Sequence, residues 1–361
     1  MYLPVMDGLL DGLKVVDLSS VLAGPMTGSF LAECGAEVLK VEAPGGDVTQ
    51  TWRVAGEPKD RTSAYHAAAN TGKQFATCNL KTSEGRDWMS ATLADADVLI
   101  QNMKWQDLAL MDLLPHDLQA RFPRLVHVRL IGSEFDPDRL AYDVVVQAES
   151  GFMSMNGHPD RGPARLPVAL MDVLASHQMR AAVLAGLYRR ERTGQGSYAE
   201  VSLLGAGLTA LANQATNVLI NGKVPQRQGS EHPNIAPYGD VLTCSDGQVV
   251  LAVGSDAQFA NLCRTLKRPD LIESAPFKSN TDRLKHRKDL MSVLNVAAQS
   301  FKRNDLLEEL LVNKVPAGAI FNVKEALDQP GIRSAYVVHE DGLNRMKTSA
   351  IAPGGFKTDP S

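Results

Sequence analysis

The sequence predicts an α/β fold, in which a doubly wound parallel sheet forms a large domain and a smaller α+β domain follows. Three observations carry this. Short apolar runs of buried-strand type alternate with longer helical stretches through the first two hundred residues, the signature of strand–helix–strand units. Glycines and prolines punctuate the joints between them. A Pro-rich polar stretch near residues 222–238 then separates a region of different pattern.

The elements follow in order. Residues 13–18 (LKVVDL) read as a first strand and Ser19–Pro25 as a turn. Met26–Glu33 reads as a helix ended by Cys34-Gly35, with Gly at the usual stop position. Ala36–Glu42 is a second strand and Ala43–Asp47 a turn. Lys73–Leu80, Asp97–Gln101, Leu125–Leu130 and Tyr198–Ser202 read as further strands. Ser83–Ala94, Leu114–Arg121, Asp143–Met155 and Val173–Arg190 read as helices between them. Gly205–Asn221, rich in Ala and Leu, reads as one long helix. Past the linker, Val241–Thr243 and Gln248–Val253 flank Ser245-Asp-Gly247, a hairpin signal. Helices are expected over 257–266, 282–299 and 303–313, and Val315–Gly318 reads as a turn. The expected organisation is a large domain over 1–205, a linker helix and loop over 206–235, a small domain over 236–320, and a return to the large domain over 321–361.

Composition narrows the function. The chain has 361 residues, 44% hydrophobic and 22% charged, with a net charge of −4 and no block of like charge. Nothing in this asks for nucleic acid or an anionic membrane surface. Four scattered cysteines without C-x-x-C spacing argue against zinc and against a disulfide framework, and for a reducing compartment. The N-terminus lacks the basic and apolar regions of a secretion signal. A cytoplasmic protein is expected.

Chemistry centres on Asp172, at the junction between the turn-rich segment 156–163 and the apolar helical run that begins at Val173. A carboxylate at such a place either caps the helix, because the first backbone N–H groups lack partners, or stands free as a nucleophile. Around it no G-x-G-x-x-G follows the first strand, no H-E-x-x-H is present and no G-x-S-x-G elbow occurs. Dinucleotide, metallohydrolase and serine-hydrolase readings lose their motifs. Gly24-Pro25 taken singly reads as a tight turn, and His127, inside an apolar strand, as a packed histidine.

Several segments together resemble one family. These are Leu10–Leu18, Val21-Leu-Ala-Gly-Pro25, Gly35–Glu42, Gly46-Asp47, Asn70–Lys73, Ala94–Val98, Ala141-Tyr-Asp143, Gln147–Gly151, the Asp172 segment, Pro237-Tyr238, Ser245–Gly247 and Val315–Gly318. In order and spacing they resemble the class III CoA-transferases, such as formyl-CoA and carnitine CoA-transferases. The resemblance implies a Rossmann-like large domain, a small domain and an interlocked homodimer. It implies no permanently bound cofactor, with coenzyme A and its acyl thioesters as substrates beside a free carboxylic acid. Asp172 matches the carboxylate that forms aspartyl mixed-anhydride and aspartyl-CoA thioester intermediates. Val21, Leu22, Ala23 and Asn102 match CoA-binding positions, and Lys104, in a stretch that departs from the family's Arg-Pro-Gly, is expected to bind CoA by supplying the charge in its place. Tyr142, Gln147 and Met171 are expected in the substrate pocket. The same fold includes α-methylacyl-CoA racemases, the alternative reading. Their histidine is replaced here by Tyr142, a side chain protonated at neutral pH and a poor base.

Overall fold

A computed structural model describes residues 8–351. The chain divides into two compact units. One comprises the chain up to Met153, Arg165–Val224 and the part from Pro330 onward. The other comprises Ser154–Ala164 and Pro225–Gln329.

The first unit is built on β1 (Lys14–Asp17), α1 (Ala23–Glu33), β2 (Glu37–Glu42), α2 (Ala64–Ala69), β3 (Gln74–Thr77), α3 (Ser83–Ala94) and β4 (Val98–Gln101). It continues with α4 (Trp105–Leu110), α5 (Pro115–Arg121), β5 (Val126–Ile131), α6 (Asp143–Glu149), α7 (Phe152–Met155, which crosses into the second unit), α8 (Leu170–Thr193), β6 (Ser197–Ser202), α9 (Leu203–Ala210) and α10 (Asn213–Asn221). The six strands form one parallel sheet in the order β3-β2-β1-β4-β5-β6. Because side chains alternate across a strand, neighbouring residues feed two different cores. Val15 and Ile100 join Leu31, Met171, Met179 and Val183 on one face. Val16 and Leu99 join Met89, Leu93, Leu108 and Leu118 on the other. The sheet is thus covered by helices on both faces, as parallel sheets require.

The strand order reverses between β1 and β4. That is the topological switch point, where the loops leaving the carboxyl ends of two neighbouring strands diverge and open a crevice. The loops concerned are Leu18–Leu22 and Asn102–Lys104.

The second unit holds β7 (Tyr238–Thr243), β8 (Gln248–Ala252), α11 (Asp256–Thr265), α12 (Asn280–Lys285), α13 (Arg287–Ala298), α14 (Arg303–Val312), β9 (Ala317–Ala319) and α15 (Val323–Leu327). Its antiparallel sheet runs β7-β8-β9, and its core gathers Leu242, Leu251, Phe259, Leu262, Leu290, Leu294 and Leu306. The chain then adds α16 (Ile332–Tyr336) and the hairpin β10 (Val337–Glu340) and β11 (Leu343–Met346) to the first unit.

Several elements differ from the sequence expectation. Gly24 and Pro25 are not a turn but lie in the first turn of α1, where Pro is tolerated because its missing N–H would be unpaired anyway. Gly24 is required by close approach: a Cβ there would lie 2.3 Å from Ser19 Cβ and Oγ. The helix expected over 143–155 breaks at Gly151, whose φ is +92°. The one expected over 205–221 breaks at Ala212, with a 73° bend between α9 and α10. Val315–Gly318 does not end as a turn, since Ala317–Ala319 pairs with β8. The unit boundary falls at Val224/Pro225, because α9 packs on α6, α8 and β6. The segment 154–164 sits in the second unit, tied there by Arg227, whose guanidinium donates to the Ser154 and Arg161 carbonyls. Among the described residues no single helix is long and apolar enough to cross a membrane.

Candidate active site

The helix α8 begins at Leu170, three residues before the expected start, which places Asp172 inside its first turn. Asp172 does not cap that helix. The residue before the helix, Ala169, offers no side-chain cap. The capping oxygen comes instead from Asp143 at the start of α6, whose Oδ1 accepts the Met171 N–H at 2.7 Å. The orphan donor of the helix start is therefore satisfied by another carboxylate. Among the described residues nothing hydrogen-bonds to the Asp172 carboxylate or forms an ion pair with it. Its pKa is pushed up to about 7, first by burial and then by the neighbouring Asp143 charge.

Gln147, one turn after Asp143, fixes this arrangement. Its Nε2 donates to Asp143 Oδ2 at 2.6 Å and to the Leu166 and Val168 carbonyls at 3.3 Å, and its Oε1 accepts the Leu166 N–H at 2.7 Å. Gln147 is fully buried. It clamps the segment that delivers the chain into α8 and does not line the pocket as expected. Met171 is likewise buried, in the core beside Ser150, because it points to the sheet side of α8. The carboxylate of the next residue points out of that core.

A cavity of about 140 Å³ holds Asp172 together with Val21, Asn102, Lys104 and Tyr142. Asp138, Arg139, Leu140 and Leu203 are among the other residues of its wall. The loop from Pro137 to Tyr142 crosses close over the end of β5. A Cβ on Gly132 would lie 2.7 Å from the Arg139 carbonyl oxygen and 2.8 Å from Ala141 Cβ. Of the other expected binding residues, Leu22 is half-buried where α1 begins, and Ala23 is buried in the core, so only its backbone can face a ligand.

A second cavity of about 330 Å³ opens at the carboxyl ends of β1, β2 and β4. Asn102, Met103 and Lys104 line both cavities. That shared wall is rigidly braced. Gln101 Oε1 accepts the Met103 N–H at 2.7 Å, and the buried Arg129 donates to the Met103 carbonyl through Nε and Nη2 at 3.1 and 2.9 Å. His127 hydrogen-bonds Gln101 and is kept neutral, its pKa lowered to about 3 by burial and by Arg129. It is a packed histidine, with no acid–base part to play. Lys40, lining the second cavity, is buried beside Asp17, which also receives Lys73 Nζ at 2.8 Å.

Tyr65 is a further residue near the site, with no motif in the sequence to mark it. It sits on α2, edge-to-face with Trp52, and its phenol is pushed up to about 12 by burial and by the charges of Asp172, Asp143 and Asp47. It stays protonated, a hydrogen-bond donor near the free carboxylate. A tyrosine in a six-residue helix leaves no periodic signal, so spacing alone does not reveal it. Arg129, Arg139 and Asp47 were missed because their roles come from tertiary contacts: Arg129 reaches from β5 to the Met103 carbonyl, and Arg139 and Asp47 lie on loops. Among the described residues no group of three or more His, Cys, Asp or Glu side chains could hold a metal ion.

Comparison with known proteins agrees with this geometry. The family model described as CoA-transferase family III matches residues 10–353. The chain is 35% identical over 333 residues to the succinate–glutarate CoA-transferase of Agrobacterium fabrum, covering 90% of this chain and 83% of that protein. It is 33% identical over 328 residues to the succinyl-CoA:glutarate CoA-transferase of Homo sapiens, covering 90% and 74%. A crystal structure of a CAIB/BAIF family protein from Brucella suis superposes with a TM-score of 0.87 at 36% identity, over 99% of this chain and 94% of that one. Sheet order, free carboxylate and similarity along nearly the whole length lead to one assignment: the chain belongs to CoA-transferase family III and is an acyl-CoA:carboxylate CoA-transferase.

Proposed function

We propose that Asp172 is the nucleophile of this transferase. The observation that carries the reading is a carboxylate with no partner among the described residues, set in a small cavity beside Val21, Asn102, Lys104 and Tyr142. An Asp172 oxygen attacks the thioester carbonyl, the C–S bond breaks, and a mixed anhydride and CoA thiolate result. The thiolate attacks the Asp172 carbonyl carbon and the donor acid leaves as its carboxylate, giving an aspartyl-CoA thioester. The acceptor carboxylate attacks the same carbon and expels the thiolate, which then takes the acyl group from the new anhydride and frees Asp172. Dividing the exchange this way keeps each step between groups of similar activation, and a confined cavity limits hydrolysis of the anhydride. Only ionised Asp172 attacks, so a pKa near 7 keeps a substantial nucleophilic fraction at neutral pH.

CoA occupies the larger cavity in this reading, with its thioester led past Asn102–Lys104 to Asp172 and Lys104 facing its phosphates. The acceptor is a short dicarboxylic acid. Relatives named for succinate and glutarate support this, as does Arg139, a cation in the wall of the Asp172 cavity that is paired with Glu149. The racemase alternative is not supported, since the relatives carry transferase names. A homodimer and a cytoplasmic location belong to the same reading. Light scattering on the purified protein tests the dimer.

The decisive experiment incubates the enzyme with succinyl-CoA, quenches with hydroxylamine and maps the product by mass spectrometry. A hydroxamate at Asp172, absent from Asp172→Asn, is expected. Full transfer to glutarate with Asp172 never modified would overturn the assignment.

A further inference from the structure

The turn between β1 and α1 is held atom by atom from outside itself. Ser19 N–H donates to Asp17 Oδ1 at 2.9 Å, and Lys40 Nζ donates to the Ser19 carbonyl. Asn102 takes both backbone polar groups of Ser20: its Oδ1 accepts the N–H at 3.0 Å and its Nδ2 donates to the carbonyl at 3.1 Å. Val21 N–H donates to Asp47 Oδ2 at 3.0 Å. Asp47 is buried, and its Oδ1 is itself fixed by the Thr49 N–H and hydroxyl at 2.9 and 2.8 Å.

At the end of this chain of contacts Val21 has φ +73°. A β-branched residue in the left-handed region is a strained exception, where glycine is the ordinary occupant. Such strain persists only where the surroundings over-determine it, and it collects at functional sites. Val21 is part of the wall of the Asp172 cavity. Asn102, expected from the family resemblance to bind CoA, spends its amide on the Ser20 backbone.

We propose that Asp47 and Asn102 are positioning residues that grip the turn from opposite sides and force Val21 into its left-handed conformation. They thereby set where the acyl thioester stands relative to Asp172. The inference rests on the reading of Asp172 as nucleophile. With either grip released, Val21 relaxes to negative φ and shifts the cavity wall, and a misplacement of about 1 Å is enough to slow chemistry by about a hundredfold.

The test uses full-length enzyme and quenched-flow measurement of Asp172 modification by succinyl-CoA, beside steady-state transfer. Asp47→Ala and Asn102→Ala are expected to lower kcat and the rate of Asp172 modification by about 10- to 100-fold, with KM for succinyl-CoA changed by less than about threefold. Asp47→Asn keeps one oxygen for the Val21 N–H but turns its amide N–H toward the Thr49 N–H, so it is expected to fall between wild type and Asp47→Ala. Val21→Gly takes up positive φ without strain but removes a side chain from the cavity wall, so its own rate is the reference: Asp47→Ala is expected to cost at least about tenfold less in the Val21→Gly background than in wild type. A wild-type enzyme that transfers CoA without modifying Asp172 overturns the nucleophile reading itself. If wild type modifies Asp172 and Asp47→Ala does so equally fast, the positioning inference alone falls. It falls also if the two substitutions multiply without rescue. If Asp47→Ala does not fold, Asn102→Ala with and without Val21→Gly decides the question by the same criteria.

Discussion

Replacing Asp172 by Asn is expected to abolish transfer and to stabilise the protein. The carboxyl moves from 3.8 to about 7 on folding, chiefly because burial disfavours its charged form and Asp143 adds repulsion. That displacement corresponds to about 4 kcal/mol against the ionised state, at 1.36 kcal/mol per pH unit. Asn keeps the shape and removes the charge. Local relaxation and water entry reduce the gain, so about 1–3 kcal/mol is expected, or a rise in Tm of about 3–10 °C for a unit of this size. The sign follows from linkage. Below about pH 4 the carboxyl is neutral in both folded and unfolded chains, and the two proteins melt together. Between pH 4 and 7 the unfolded chain ionises first, the wild type loses stability, and the gap opens. Above pH 7 it stays constant. Thermal melts of both proteins from pH 4 to 8.5 check this. If Asp172→Asn melts at or below wild type at pH 8, the claim that Asp172 is held unpaired and desolvated is refuted.

Three further outcomes are expected. Asp143→Asn lowers the pKa of Asp172 by removing the neighbouring charge, so the acid limb of the kcat profile moves to lower pH; an unmoved limb contradicts the coupling. Gln147→Met removes the partner of the half-buried Leu166 N–H and of the Leu166 and Val168 carbonyls and costs about 1–2 kcal/mol, read by urea denaturation. Gly24→Ala places a methyl 2.3 Å from Ser19 and costs about 1–3 kcal/mol, with loss of the α1 turn evident in faster amide exchange of Ser19–Ala23.

The parallel sheet was legible because buried strands are short and apolar on both faces. Val15, Val16, Leu99 and Ile100 are all nearly inaccessible, so their sequences stand out from the helices between them. Helix breaks were not legible. In the stretch 205–221 Asn213 and Gln214 follow Ala212, but polar residues are equally at home on the exposed face of a continuous helix and so do not mark the break, and alanine gives no sign of the positive φ it adopts there. The short helices α2 and α4 carry too few residues for a period to show. In the site, sequence resemblance supplied positions and not directions. Val21, Asn102, Lys104, Tyr142 and Asp172 line one cavity, whereas Gln147 and Met171, as near to Asp172 along the motif, face inward. Spacing along a chain cannot distinguish Met171 from Asp172, one residue apart on the same helix, without knowing which side of α8 meets the sheet.

The chain passes between its two units four times, at 153/154, 164/165, 224/225 and 329/330. Neither unit is a contiguous stretch. No single truncation releases either one intact, and a fragment ending at Met153 would lack α8 and β6, hence both the nucleophile and an edge strand. Gene fusions, tags and chimaeras therefore belong at the termini or as replacements of a whole excursion with both its junctions. A proteolytic nick in the eleven-residue excursion Ser154–Ala164 would leave two pieces that separate only on unfolding, which makes limited proteolysis followed by denaturing electrophoresis a direct readout of this interleaved connectivity.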